Sequence, residues 1–198
     1  MTVVETDRIE MAESNDERTL DEMFEWLEKM PIPEGYKTEF VGGHLFMSPQ
    51  RDNHWEIIFD ILDQLRTKYP RKRLKSDVRI DYPGYLNGFA TDVTLLKADA
   101  VKNAKGQWRY QDVEFTAEVI SRSTGMNDYG PKKDAYAEAG VPLYLVVDPY
   151  QGRCHVYTDP KNGEYRSESK ADFGEEIDLT HTVIGVTLDT SDFHREGR

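Results

Sequence analysis

The spacing of hydrophobic residues predicts two helices in the first third of the chain. The first carries an apolar stripe at helical spacing, formed by Leu20, Met23, Phe24, Leu27 and Met30. Thr19 and Glu22 have the spacing of a capping box, so we expect this helix to begin after Thr19 and to end before Pro31. The second helix carries a stripe formed by Trp55, Ile58, Ile61, Leu62 and Leu65. Asp52 can cap this second helix, and it is expected to end near Pro70.

Short apolar runs bounded by turn residues predict the strands. These runs lie around Ile177 and Val186 and cover residues 36–41, 44–48, 73–81, 89–96, 153–158 and 164–169. Gly42 and Gly43 separate the first two runs in the manner of a two-residue hairpin turn. The runs after Pro149 are expected to add antiparallel strands to the sheet.

The stretch from Glu114 to Pro149 reads as strand, loop, helix and strand, which predicts a βαβ unit. Apolar residues alternate along its first strand, so Glu118 points to the opposite face from Phe115 and Ala117. A carboxylate within a central strand requires a cation nearby. Glu118 is therefore the first candidate for chemistry.

The helix of this unit carries further candidates. We expect it to begin after Asn127 or Asp128, either of which can cap it, with Pro131 in its first turn. Asp128, Lys132 and Tyr136 follow one another at four-residue intervals, which places them on one helix face. A lysine and a second carboxylate can thus approach Glu118.

A further carboxylate, Asp92, is embedded in the apolar run 89–96. Asp92 and Glu118 lie on consecutive strands, and neighbouring strands are only ~4.8 Å apart, so the two carboxylates can approach closely. They repel unless a proton or a divalent cation lies between them. A site with few oxygen ligands suits magnesium, which keeps several waters and takes up substrate phosphate. With Lys132 beside it, the group favours phosphodiester hydrolysis.

Length and composition are typical of one globular domain. The chain has 198 residues, of which 38% are hydrophobic. Residues 1–17 are acidic, polar and aperiodic and predict a disordered lead-in, whereas residues 18–198 are expected to form a single domain. No apolar run approaches ~20 residues and the N-terminus lacks a signal-peptide pattern, so we expect a cytoplasmic protein without membrane contact. The single cysteine, Cys154, is expected to be a buried structural thiol.

The net charge of −12 argues against a nucleic-acid partner, but its distribution weakens that argument. The acidic excess is concentrated in residues 1–34 and 159–198, and the middle of the chain is nearly neutral. A basic segment in that middle contains Lys68, Arg71, Lys72, Arg73 and Lys75. This basic segment is either a local phosphate-binding patch or a solvated connector between a helix and a strand.

Residues 118–149, EVISRSTGMNDYGPKKDAYAEAGVPLYLVVDP, carry a specific resemblance. With their Glu-Val, paired serines, Asp, Lys, Tyr, Ala-Gly-Val-Pro and closing Asp-Pro, they resemble the large bacterial Uma family of restriction-endonuclease-like proteins. That family is a branch of the PD-(D/E)XK nuclease superfamily. The resemblance covers roughly residues 36–188.

The motif residues carry over one by one. Asp92 matches the aspartate of the Pro-Asp element, although Thr91 stands in place of the proline. Glu118 matches the acidic residue of the (D/E)XK element. Ile120 stands where the superfamily's lysine is usual, and the resemblance implies that Lys132, in the following helix, supplies the lysine instead.

The resemblance implies an α/β (α+β) protein with the restriction-endonuclease-like fold, in which helices flank a mixed central β-sheet. It also implies magnesium or manganese bound by Asp92 and Glu118, with Glu39 on the first strand as a supporting acid. The expected partners are DNA and a second copy of the chain, since cutting both strands requires two sites.

Each candidate has a structural alternative. Glu118 and Lys132 can form a buried ion pair without a metal, and Asp92 can pair with backbone groups at a strand end. Asp128 is favoured as a helix cap, and Tyr136 as a packed residue whose hydroxyl reaches a polar neighbour. His54, in the first turn of the second predicted helix, can face either the site or solvent, and the sequence favours neither orientation.

Three functions remain open from the sequence. The leading hypothesis is a metal-dependent endonuclease that hydrolyses DNA. The second is a non-catalytic module that binds nucleic acid or protein on a retained nuclease fold. The third, hydrolysis of a small phosphoester, is favoured by the net acidity, because a small substrate needs no long basic track.

Overall fold

The computed structural model describes residues 8–9, 18–32, 34–49, 51–122 and 125–197. In these residues the chain forms four α-helices, namely α1 (Leu20–Leu27), α2 (Asp52–Arg66), α3 (Gly125–Tyr129) and α4 (Pro131–Glu138). Its strands, in chain order, are β1 (Arg8–Ile9), β2 (Tyr36–Val41), β3 (His44–Pro49), β4 (Leu74–Lys75), β5 (Val78–Tyr82), β6 (Asn87–Thr91), β7 (Val93–Leu96), β8 (Trp108–Arg109), β9 (Val113–Val119), β10 (Leu143–Asp148), β11 (Arg153–Lys161), β12 (Glu164–Asp172), β13 (Glu176–Asp178) and β14 (Thr187–Asp189).

The strands form two mixed six-stranded sheets and one short hairpin. The first sheet has the order β1-β3-β2-β6-β5-β8, the second β12-β11-β10-β9-β7-β4, and β13 pairs with β14. The predicted βαβ unit is confirmed, because β9 and β10 are parallel neighbours joined through α3 and α4. The predicted fold class is confirmed as well, with the addition that the strands divide between two sheets.

Helix α2 covers one face of the second sheet. Its buried residues Ile57, Ile58, Ile61 and Leu65 pack in one cluster with Phe115 and Ala117 of β9 and with apolar residues of β7 and β10. Cys154 lies in the same cluster, and burial raises the pKa of its thiol to about 12. The expectation of a buried structural thiol is confirmed.

Helix α4 covers the opposite face of that sheet. Tyr136 packs its ring against Tyr82, Phe89 and Tyr144, with ring centroids 4.8–5.5 Å apart. This aromatic wall joins the first sheet to the second, because Tyr82 and Phe89 belong to β5 and β6. Polar residues on the same face of β9 are therefore enclosed between the helix and both sheets.

Helix α1 covers the hairpin of β2 and β3 as its apolar stripe predicts. Met23 and Leu27 pack with Phe40 and Leu45, and the predicted capping box between Thr19 and Glu22 is present. The hairpin turn is also confirmed, since Gly42 and Gly43 both adopt positive φ, at 59° and 79°.

Two predictions for α2 are wrong. Asp52 is the first helical residue and not its cap, since Arg51 occupies the N-cap position without a side-chain hydrogen bond. Trp55 is 50% exposed and lies outside the core. At roughly 100° per residue, Trp55 falls about 100° away from the centre of the buried stripe, so the stripe runs through Ile57 instead.

Three predicted elements are interrupted. The run 89–96 is two strands separated at Asp92, where the chain passes from the first sheet to the second. The run 73–81 is broken near Asp77, which has a φ of 53°. The helix of the βαβ unit begins at Gly125, before the predicted caps, and restarts after Gly130 with Pro131 in its first turn.

The acidic lead-in, residues 1–17, lies outside the described residues apart from β1. This short strand pairs antiparallel with β3, Arg8 with Phe46 and Ile9 with Leu45.

Candidate active site

Asp92 occupies the junction between the two sheets and is 1% exposed. Because it belongs to neither flanking strand, its side chain reaches the end of the neighbouring strand, where Oδ2 accepts a hydrogen bond from the Val119 backbone N–H at 2.7 Å. Its own backbone N–H lies 3.4 Å from Glu118 Oε2. The antiparallel register that pairs Val93 of β7 with Ala117 of β9 places the preceding residue, Asp92, opposite Glu118.

Glu118 lies on the face of β9 opposite Phe115 and Ala117, as the alternation predicts, and is 1% exposed. Its Oε1 accepts a hydrogen bond from the Tyr136 hydroxyl at 2.5 Å and lies 2.7 Å from Lys132 Nζ. The other oxygen, Oε2, turns towards Asp92. Glu118 therefore presents one oxygen to helix α4 and the other to the sheet junction.

Lys132 is enclosed by three carboxylates. Its Nζ lies 2.7 Å from Glu118 Oε1, 3.0 Å from Asp128 Oδ1 and 3.1 Å from Glu39 Oε2. Asp128 and Lys132 meet across the break between α3 and α4, so the two side chains come together as predicted although they lie on two helices and not on one. The expectation that Asp128 caps the helix is wrong, because the break at Gly130 leaves Asp128 inside α3, where it pairs with Lys132.

Glu39 is buried on β2 and reaches the site from the first sheet. Besides its contact with Lys132, its Oε1 accepts a hydrogen bond from the Ala90 backbone N–H at 2.9 Å. Glu39 is thus tied to β6, the strand that leads into Asp92.

Lys37 is a site residue that the sequence analysis missed. Its Nζ lies 2.8 Å from Asp92 Oδ1, 3.4 Å from Glu118 Oε2 and 3.7 Å from Glu39 Oε1, with only 7% of the side chain exposed. The available signal was the two-residue spacing between Lys37 and Glu39, which puts both side chains on one face of β2.

His54, at the first turn of α2, faces the site. Its Nε2 lies 3.3 Å from Asp92 Oδ2 and 3.0 Å from the Val119 carbonyl oxygen. Burial alone would lower the pKa of His54, but the neighbouring Asp92 outweighs it and the net shift is upward. Helix α2 thus places an imidazole ring, which can carry a positive charge, beside Asp92 Oδ2.

The carboxylates of the site have shifted pKa values of opposite sign. Burial raises the pKa of Glu118 to about 7, with Asp92 and Glu39 adding to it and the two site lysines opposing. Burial also favours the neutral form of Asp92, but Lys37 and His54 overcome it and hold the pKa of that carboxyl well below its usual range. Acids with pKa values driven apart are typical of functional sites.

The lysine Lys132 stays charged in spite of its burial. Burial by itself lowers the pKa of Lys132, but Asp128, Glu118 and Glu39 together raise it above its ordinary value.

The pocket is lined by four carboxylates and two lysines, namely Glu39, Asp92, Glu118, Asp128, Lys37 and Lys132. Two negative charges therefore remain when all six are ionised and His54 is neutral. One divalent cation, or protons on Glu118 and His54, would balance them.

The donor set fits a magnesium or manganese ion bound through two carboxylates. Across the described residues, no group of three or more His, Cys, Asp and Glu side chains is arranged to hold a metal. Asp92 Oδ1 and Glu118 Oε2 nonetheless converge on one cationic atom, Lys37 Nζ. Magnesium is commonly held by one or two carboxylates, with water and substrate phosphate completing its shell.

The basic segment does not reach this pocket, whose lining is Lys37, Glu39, Ser48, His54, Asp92, Glu118, Val119, Ser121, Asn127, Asp128 and Lys132. Three of the five basic side chains of this segment make the following contacts within the chain. Lys68 Nζ donates to the Ile184 and Gly185 carbonyls, Arg73 pairs with Glu114 at 2.5 Å, and Lys75 donates to nearby carbonyls. Arg71 and Lys72 form an exposed 3₁₀ turn with Arg73 between α2 and β4, which favours the connector interpretation.

A family model described as "Uma2: Putative restriction endonuclease" matches residues 21–191. The chain belongs to the Uma2 family. This membership confirms the resemblance that residues 118–149 suggested.

The fold of this Uma2 chain is similar to that of a solved protein from Anabaena variabilis ATCC 29413. That crystal structure is titled as "a putative nuclease belonging to DUF820", with a TM-score of 0.67 at 15% identity. The match covers 89% of this chain and 97% of that one. No curated protein matches the chain. None of the described helices is long and apolar enough to cross a membrane.

Proposed function

We propose that this Uma2 chain is a metal-dependent endonuclease that hydrolyses phosphodiester bonds of DNA. The observation that carries the proposal is the convergence of Asp92 Oδ1 and Glu118 Oε2 on one cationic atom, with Lys132 on the far side of Glu118. Membership of a family described as restriction endonucleases supports a nucleic-acid substrate.

Asp92 and Glu118 would hold magnesium or manganese through those two oxygens. A bound ion of this kind supplies Lewis-acid polarisation of a phosphoryl oxygen and lowers the pKa of an attacking water. The protein's part is to fix both carboxylates, and it does so through donors to their other oxygens. Val119 N–H fixes Asp92 Oδ2, and Tyr136 fixes Glu118 Oε1.

Lys132 acts as a fixed positive charge in this proposal. Since three carboxylates raise its pKa, it remains protonated and cannot serve as a general base. Its charge would stabilise the negative charge that develops on the phosphoryl group in a site with little water. Glu39 and Asp128 position Lys132, and His54 positions Asp92.

Cleavage of plasmid, linear duplex and single-stranded DNA in MgCl₂ and MnCl₂ tests the proposal. We expect metal-dependent cleavage that falls by about 10²-fold or more in Asp92→Asn and Glu118→Gln. Glu114→Gln is the matched control, because the same substitution lies on the same strand but faces Arg73. Salt-dependent DNA binding in all variants, without cleavage in any, would instead identify a non-catalytic binding module.

A second candidate, a hydrolase of small phosphoesters, is favoured by one observation. The pocket has an excess of carboxylates, and the basic segment of residues 68–75 does not line it. Bis(p-nitrophenyl) phosphate tests this candidate in the same variants. Hydrolysis of this diester that depends on Asp92 and Glu118, with no cleavage of any DNA form, would favour it over the endonuclease.

We further propose that the enzyme acts as a homodimer, since a double-strand cut requires two such sites. Light scattering coupled to gel filtration measures the mass directly. A monomer at micromolar concentration, both with and without DNA, would contradict the dimer and leave the single-site chemistry standing.

A further inference from the structure

Lys37 lies where the two oxygens of the proposed metal site meet. Its Nζ is 2.8 Å from Asp92 Oδ1 and 3.4 Å from Glu118 Oε2, and the side chain is 7% exposed. It reaches this point from β2, in the first sheet, whereas Glu118 belongs to the second. The ammonium group therefore bridges two carboxylates from different parts of the fold.

The other carboxylate oxygens have different partners. Asp92 Oδ2 accepts from the Val119 backbone N–H and faces His54 Nε2. Glu118 Oε1 accepts from the Tyr136 hydroxyl and from Lys132. A cation shared by the two carboxylates through Oδ1 and Oε2 would use the oxygens that Lys37 contacts.

An ammonium group and a divalent ion cannot both use these oxygens. Magnesium binds oxygen at about 2.0–2.1 Å, so the ion would lie within contact distance of Lys37 Nζ and repel it. Binding of the metal and retention of the Lys37 contact are thus mutually exclusive events at one position.

We propose that Lys37 is an internal cation that competes with the metal for Asp92 Oδ1 and Glu118 Oε2 and is displaced when the metal binds. This inference rests on the proposed metal site. Lys37 neutralises two buried carboxylates that would otherwise repel each other, so it holds them in the observed geometry. It also weakens metal binding, because the metal must compete with it.

Lys132 does not compete in this way. It contacts Glu118 through Oε1 and is held by Asp128 and Glu39 as well, so the metal position can fill without moving it. The two lysines of the site therefore have different roles: Lys37 can be displaced by the metal, whereas Lys132 stays in place.

Titration of MnCl₂ into the metal-free full-length protein, followed by calorimetry, tests the proposal. We expect Lys37→Met to bind Mn²⁺ about tenfold more tightly than the wild type, since the competing cation is gone while a long unbranched side chain is retained. Lys133→Met, a change of a lysine outside the pocket, is the control and should bind with wild-type affinity. Equal or weaker binding by Lys37→Met would overturn the proposal.

A second measurement uses the wild type alone and so does not depend on the variant folding. Reductive methylation followed by mass spectrometry reports the accessibility of each lysine. We expect Mn²⁺ to increase the modification of Lys37 and to leave Lys132 protected. Protection of Lys37 that is unchanged at saturating Mn²⁺ would contradict its displacement.

These outcomes separate this inference from the metal site itself. Binding of Mn²⁺ to the wild type that is lost in Asp92→Asn, with no gain in Lys37→Met, leaves the metal site standing and rejects the role of Lys37. Absence of Mn²⁺ binding in both the wild type and Lys37→Met rejects both.

Discussion

The hydroxyl group of Tyr136 donates a hydrogen bond to Glu118 Oε1 at 2.5 Å, inside an aromatic wall that keeps water away. This contact links a packing residue to the chemistry of the pocket. The Tyr136 ring fills space between α4 and two sheets, while its hydroxyl stabilises the ionised form of a carboxylate whose pKa burial raises to about 7.

Tyr136→Phe should weaken metal binding in a pH-dependent way. Losing the hydroxyl raises the pKa of Glu118 further, so less of it is ionised at pH 7 and the affinity for Mn²⁺ falls several-fold. At pH 9 Glu118 is ionised in both proteins, and the difference should shrink. Calorimetric titration at the two pH values measures this.

Tyr69→Phe provides the matched control for that experiment. Tyr69 is also buried and donates to a backbone carbonyl, that of Ile184, at 2.6 Å, but it does not line the pocket. Each variant should lose about 1–2 kcal/mol of stability. A loss of affinity that is the same at pH 7 and pH 9, or equal in the two variants, would show that Tyr136 acts through packing alone.

Glu118 should make the metal-free protein less stable as the pH rises. Its pKa is about 7 in the folded state and 4.5 when unperturbed, so the unfolded chain loses the proton first. The stabilising contribution is complete below about pH 4.5 and is lost as the pH rises to about 7. Above that, no further change is expected from this group.

Urea denaturation in EDTA at several pH values between 5 and 8.5 tests this sign. Glu118→Gln is the control, since it resembles the protonated side chain and retains His54, whose pKa is also shifted. The wild type should lose stability relative to Glu118→Gln up to about pH 7. Parallel profiles of stability against pH for the two proteins would show that the pKa of Glu118 is not raised in the folded protein.

Lys132→Met should be strongly destabilising. It leaves Glu39, Glu118 and Asp128 without the cation that all three contact, a loss of about 3–5 kcal/mol for a buried charge network. The neighbouring Lys133 is half-buried and lies 5.3 Å from the centre of the Tyr157 ring, so Lys133→Met should cost less than about 1 kcal/mol.

Chemical denaturation of both lysine variants measures the difference. The double variant Glu39→Gln, Lys132→Met should recover part of the loss, because it removes one of the unpaired charges. Equal effects of the two lysine substitutions would show that the carboxylates are neutral and that Lys132 has no structural charge role.

The sequence predicts the elements whose signals are local. The capping box of Thr19 and Glu22, the glycine turn at Gly42 and the βαβ unit all depend on residues close in the chain, and all are present. The face of Glu118 follows from alternation alone. The prediction of a continuous strand through Asp92 is wrong, because the division into two sheets depends on contacts between residues that are distant in sequence.

In the candidate site, too, some residues could be predicted from the sequence and others could not. Family resemblance and spacing indicated Asp92, Glu118, Lys132 and Glu39, which the structure brings together. Lys37 was missed because two of its partners, Asp92 and Glu118, lie more than 50 residues away and its own surroundings in the sequence are typical of an ordinary half-exposed strand. The sequence leaves the basic segment open between a phosphate-binding patch and a connector, because its contacts with backbone carbonyls and with Glu114 cannot be seen in composition.

The aromatic residues of α2 allow a last prediction, because Trp55 and Ile58 differ in burial although they stand on one helix. Trp55 is 50% exposed and Phe59 51%, whereas Ile58 is 1% exposed in the core. Trp55→Ala should therefore change stability by no more than about 0.5 kcal/mol, as is usual for surface positions. Ile58→Ala should cost about 2–5 kcal/mol, since it leaves a cavity under the sheet. Urea denaturation of the two variants measures the loss of stability in each. A larger loss for Trp55→Ala than for Ile58→Ala would mean that the indole is covered in solution, by residues of the lead-in or by a second copy of the chain.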